Sequence, residues 1–126
     1  MTFRKFRRDA KGATAVEFAL TAPLFIAMIF GVIEFGLLLW TQVGMQAGVE
    51  TAARCATVNP GLCANTGSIQ NYASQHSLGL NLSPSVFSFV KSTCGNNVSA
   101  SYAFPMLMAY FPSASMQLSA QACFPV

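Results

Sequence analysis

The sequence predicts an α+β protein. A long N-terminal helix crosses a membrane and extends into a small disulfide-linked domain with a short helix and about three antiparallel strands. Three observations carry that expectation. Residues 12–40, GATAVEFALTAPLFIAMIFGVIEFGLLLW, are apolar almost throughout. Beyond Pro60 the chain breaks into short segments of alternating apolar and polar residues, punctuated by Gly, Pro and Asn. All four cysteines, Cys55, Cys63, Cys94 and Cys123, follow the apolar run.

Composition limits the chemistry. Of 126 residues, 53% are hydrophobic and 9% charged, whereas charged residues make up about a quarter of an average soluble domain. The net charge of +3 is unevenly distributed. Arg4, Lys5, Arg7, Arg8 and Lys11 face only Asp9 in residues 1–11, while Arg54 and Lys91 are outweighed by Glu17, Glu34 and Glu50 in the remainder. A nucleic-acid binder needs basic residues along a folded face, so no nucleic-acid partner is expected. Beyond Glu50 there is no Asp or Glu. Hard-cation sites, carboxylate acid/base pairs and acid-oriented triads all need a carboxylate. No catalytic residue, metal site or cofactor is therefore expected, and the chain does not read as an enzyme.

Residues 1–12 form a basic leader. Each Lys or Arg adds ~1 kcal/mol of attraction to an anionic cytoplasmic leaflet, which makes membrane lipids the first expected partner. Residues 13–58 read as one long helix that includes the transmembrane span, about residues 18–40. As a helix, Phe18–Trp40 is about 35 Å long against a hydrocarbon thickness of about 30 Å, enough to span with some tilt. The basic residues precede it and only Arg54 follows closely, so the N-terminus is expected in the cytoplasm and the C-terminus outside. Trp40 stands where an interfacial aromatic anchor belongs. A conventional secretory signal would have a shorter apolar region and a small-residue cleavage site, which Thr41-Gln42-Val43-Gly44 does not supply. Pro23 removes one helix hydrogen bond and is expected to bend the span.

Two acids interrupt the apolar stretch. Glu17 lies four residues after Ala13, so an ammonium at Ala13 would sit about one helical turn away, or the acid would meet a neighbouring subunit; a buried carboxylate needs such a partner. Glu34 is deeper, where an acid costs ~2.5–3.5 kcal/mol near the bilayer centre and less toward the interface. It reads either as an assembly residue or as a protonated, tolerated acid. It lies about 100° around the helix from Glu17, so one partner helix would not satisfy both in the same way.

A basic leader, a glycine and GATAVEF opening a long apolar helix resemble the class III signal peptides of type IV pilin-like proteins. The resemblance implies that a prepilin peptidase cuts between Gly12 and Ala13, leaving Glu17 as the fifth residue of the mature chain. RRDAKGATAVEFALTAPLF, FGVIEFGLLLWTQ and ETAARCA together resemble the TadE family of minor pilin-like proteins from tight-adherence (Flp) pilus systems. That implies a pseudopilin in the bacterial inner membrane. Its partners would be the peptidase, other pilin-like subunits and the pilus assembly machinery. The long C-terminal part favours a minor role over that of the shorter, mostly helical major pilin.

After the span, Gly44, Gly48, Ala52 and Ala56 recur every four residues and form a smooth stripe. Such a stripe permits close helix packing, or is simply a run of small residues outside the membrane. Glu50 and Arg54 have the spacing of an i,i+4 ion pair. Asn59-Pro60-Gly61 ends the helix, and residues 59–126 form the small extracytoplasmic domain. Four cysteines allow three pairings; Cys55–Cys63 and Cys94–Cys123 are preferred, at ~2.6 and ~3.6 kcal/mol of loop entropy. Within the domain, Ser68–Leu80 reads as a short helix, and Val86–Thr93, Val98–Phe104 and Ser115–Phe124 read as strands, with Gly95-Asn96-Asn97 as a hairpin turn. Met106–Phe111 reads as an apolar loop, either core cover or a docking surface. A lone His76 reads as a surface or helix-packing residue. The alternative to a pseudopilin is an uncut bitopic protein whose periplasmic domain binds a partner.

Overall fold

In the computed structural model the described residues are 10–106 and 115–126, with the side chains of Ala10 and Lys11 left aside. Most of the basic leader, and the apolar loop after Met106, lie outside them. The fold is α+β: a long helix, a short helix, and a three-stranded antiparallel sheet in the order β1-β2-β3.

Helix α1 runs unbroken from Ala10 to Val58. Pro23 has no N–H to offer the carbonyl one turn back, yet the helix continues through it. Helix α2, Thr66–Gln75, starts two residues earlier than the apolar spacing suggested, because Asn65 caps it. The Asn65 side chain accepts from the Ser68 N–H (2.8 Å), and the Ser68 hydroxyl accepts from the Asn65 N–H (3.1 Å), a reciprocal capping box. It also ends earlier than Leu80. Leu78 and Gly79 take positive φ (51° and 78°), which turns the chain out of the helix.

A short 3₁₀ turn, Pro84–Val86, leads into β1, Phe87–Ser92. Strand β2 is Gly95–Pro105 and β3 is Ser115–Phe124. The first hairpin differs from the sequence reading. Ser92 pairs with Gly95, so the turn is Thr93-Cys94, and Gly95-Asn96-Asn97 lies within the strand. Asn96 is buried there and donates from Nδ2 to Thr57 Oγ1 on α1 (3.1 Å). Gly95 has φ 122°, and a Cβ at that position would run into the Phe124 carbonyl; only glycine fits.

One face of the sheet carries both helices, α1 over β2 and β3 and α2 over β1. Met45, Val49, Ala52 and Ala53 of α1 meet a layer containing Phe87, Val98, Ala100, Leu118 and Ala120. Disulfides join Cys55 to Cys63 (Cα–Cα 5.9 Å) and Cys94 to Cys123 (6.4 Å). The first pins the loop after α1 to the helix end, and the second ties the β1–β2 turn to the last strand. A domain this small has little core, and such links stabilise it against unfolding.

Candidate membrane and assembly helix

Helix α1 divides at Trp40. No residue from Gly12 to Trp40 is buried by the chain. Between Val16 and Trp40 fifteen large apolar side chains are exposed, against two, Val43 and Val58, in the rest of the helix. Water does not tolerate so large an unbroken apolar surface. It is the one helix among the described residues that is long and apolar enough to cross a membrane. Length, polarity and exposure together fit a single-pass membrane protein.

Gly12, Ala13 and Glu17 are all exposed at the head of this bare region. Helical geometry sets Glu17 one turn above Ala13, and the helix passes through the Gly12–Ala13 bond without a break. Near the head, the Thr21 hydroxyl donates to the Glu17 carbonyl (3.0 Å), closing a local bond that suits an apolar setting. Glu34 is half-buried while Ile33 and Phe35 beside it are exposed. Leu38, one turn on, packs against the core of the domain.

From Thr41 onward the domain sits on the helix, and here the small-residue stripe acquires its partner. Gly44, Gly48 and Ala52 are buried and Ala56 is half-buried. A Cβ on Gly44 would strike Leu80 and the Ser77 carbonyl; one on Gly48 would meet the Ala73 carbonyl at 2.8 Å and the Phe87 ring at 3.3 Å. At Gly44 and Gly48 the stripe is therefore filled by the chain's own α2, the residues just after it and Phe87 of β1. Ala73 and Ser77 pass so close that only glycine allows the approach.

A second line of α1 side chains, not singled out from the sequence, holds the sheet. Gln42 Nε2 donates to the Ser119 carbonyl (2.8 Å), and Gln46 Nε2 donates to the Gln121 carbonyl at 3.5 Å and to Glu50 Oε1 at 2.8 Å. These glutamines occupy acceptors on the edge strand, where open backbone groups invite another strand. Their four-residue spacing, shared with Glu50, was the available signal. Glu50 takes Gln46 as its partner and forms no close ion pair with Arg54. His76 is exposed, stacks on Tyr72 with ring centroids 4.0 Å apart, and bonds the Tyr72 carbonyl through Nδ1 (2.9 Å). Among the described residues no three His, Cys, Asp or Glu side chains gather as a metal site.

The family model described as TadE-like protein matches residues 12–54. That stretch is similar to the TadE-like family. The match begins at Gly12, runs through the bare region and continues into the part of α1 that carries the domain. No curated protein and no solved structure matches the chain. The TadE-like likeness thus rests on α1 and does not extend to α2 or the sheet.

Proposed function

We propose that the chain is a minor pilin-like subunit, a pseudopilin, in the assembly of a tight-adherence (Flp) pilus. The observation that carries this reading is the combination within α1: a bare apolar helix headed by Gly12, Ala13 and Glu17, with its outer end clad by a small domain, in a segment that is TadE-like. In this reading a prepilin peptidase cuts after Gly12 and Ala13 becomes the new terminus. The basic leader stays on the cytoplasmic side of the inner membrane, and the disulfide-linked domain lies in the periplasm, where disulfides persist. Glu17 meets the Ala13 ammonium of its own or a neighbouring subunit, and the bare helix packs beside the helices of other pilin-like subunits. Glu34 serves the same assembly from a different side of the helix. The role is structural and calls on no catalytic group or cofactor.

The Gly44–Gly48–Ala52–Ala56 stripe has a different place in this reading. It fixes the domain to its own helix and leaves packing between subunits to the bare half.

The N-terminus tests the reading. Protein isolated from cells that hold the prepilin peptidase is expected to begin at Ala13, read by mass spectrometry. Replacing Gly12 with valine is expected to block cutting, and Glu17→Ala to abolish incorporation into sheared pili while the membrane level of the protein holds. A chain that retains residues 1–12 in those cells overturns the processing step and leaves the uncut bitopic protein in its place.

A further inference from the structure

We propose that the paired strand ends of β2 and β3 nearest Trp40, with Phe104, Pro105, Met106, Ser115 and Met116, rest in the outer lipid surface, giving the domain a second membrane contact beside α1. The inference depends on Gly12–Trp40 spanning the membrane, as proposed above.

The level of the hairpin along α1 can be reached from two directions. Gln42 and Gln46 are about 6 Å apart along the helix, and their acceptors, Ser119 and Gln121, are about 6.6 Å apart along β3. The strand therefore runs alongside the helix and in the same direction. From Ser119 back to Met116 is about 10 Å of strand, or about seven helix residues, which brings Met116 level with Phe35. From the other end, Asn96 is bonded to Thr57. The path from Asn96 to Phe104, the register partner of Met116, covers about 26 Å, equal to about eighteen helix residues, and arrives level with Leu39. Both routes end in the last turns of the bare helix, at or below Trp40. Leu38, which packs on the core of the domain, independently marks the same level.

The chemistry of this end matches its position. Met116 is 42% exposed, Pro105 and Ser115 are exposed, and Met106 is half-buried. From Ser92 to Val126 there is no charged residue, so seating the hairpin end among acyl chains and headgroups desolvates no ion. The charges of the domain lie at the opposite end. Glu50 and Arg54 are in the outer half of α1, and Lys91 pairs in register with Asn96, level with Thr57. Lipid is favoured over a second copy of the chain because the hairpin end is placed by α1 itself at the depth where the span meets the headgroups.

The chain has a single tryptophan, Trp40, which makes depth measurable. The full chain is placed in phosphatidylcholine vesicles brominated on the acyl chains, and quenching of Trp40 serves as the reference. In a Trp40→Phe background, Met116→Trp is expected to be quenched to a degree comparable with Trp40 and to emit at shorter wavelength than in water. Val90→Trp, near the charged end, is expected to stay unquenched. Ser115→Trp repeats the measurement at a neighbouring exposed position. If Trp40 is quenched and both hairpin tryptophans are not, the second contact is overturned while the span stands. A blue-shifted but unquenched Met116→Trp that depends on protein concentration means that another copy covers the hairpin, and overturns it equally. If Trp40 itself escapes quenching, the span fails and the inference falls with it.

Discussion

Trp40 and Thr41 are neighbours in one unbroken helix, yet they begin two different surfaces. From Gly12 to Trp40 the helix is apolar apart from Glu17, Glu34 and two threonines, and none of its residues is buried, although Leu38 touches the core of the domain; from Thr41 it carries a buried face of Gly44, Met45, Gly48, Val49, Ala52 and Ala53 under α2 and the sheet. The difference lies in side-chain size and polarity, since the backbone is helical throughout. Large apolar side chains on every side leave no stripe for a domain to select, and they suit a solvent of lipid. Small residues on one side and amide side chains beside them admit close backbone approach and fix a strand edge. The first half leaves its apolar surface exposed, whereas the second buries its face against the chain's own domain.

Substitutions matched across the two halves test this contrast. The largest effect is expected from Phe87→Ala, which empties the fully buried centre of the domain: about 3–5 kcal/mol of stability lost, read by thermal unfolding in detergent micelles. Phe30→Ala, at an exposed position in the bare half, is expected to leave that unfolding transition unmoved. Gly48→Ala is next. Its new methyl group meets the Ser77 hydroxyl and the Ala73 carbonyl, at a cost of about 1–3 kcal/mol. Gly36→Ala adds the same methyl where nothing lies within 4 Å and is expected to have no effect on the domain. Equal responses at Gly36 and Gly48 would erase the boundary at Trp40. The smallest effect is expected at Asn65→Ala. Loss of the cap costs about 1 kcal/mol and should be seen first as faster amide exchange in the opening turn of α2.

The α+β class was legible in the sequence, and so was the long helix, because an apolar run of that length has few alternatives. The strand reading at Ser115–Phe124 agrees with the structure, since alternation over ten residues is a local signal. The first hairpin turn was not legible. Gly95-Asn96-Asn97 has good turn chemistry, but burial of Asn96 against Thr57 draws it into the strand, and a turn of Thr93-Cys94 brings Cys94 to Cys123. The α2 boundaries slipped for a similar reason: Asn65 and Ser68 cap each other ahead of the first apolar position, and the left-handed turn at Leu78-Gly79 stops the helix before Leu80. The stripe at Gly44–Ala56 was visible, but a smooth face does not say whether its occupant comes from the same chain or another.

By itself, then, the sequence determined that a helix forms, that its first part is long and apolar enough to cross a membrane, and that no Asp or Glu side chain follows Glu50. These are matters of composition and local periodicity, and each residue contributes to them wherever the rest of the chain lies. Tertiary structure decided where along that helix the domain sits, what lies against Gly44 and Gly48, and which way β3 runs beside α1. Those depend on contacts such as Gly48 with Ala73 and Gln42 with Ser119, far apart in the chain, whose pairing is fixed only when the sheet, α2 and α1 close on one another.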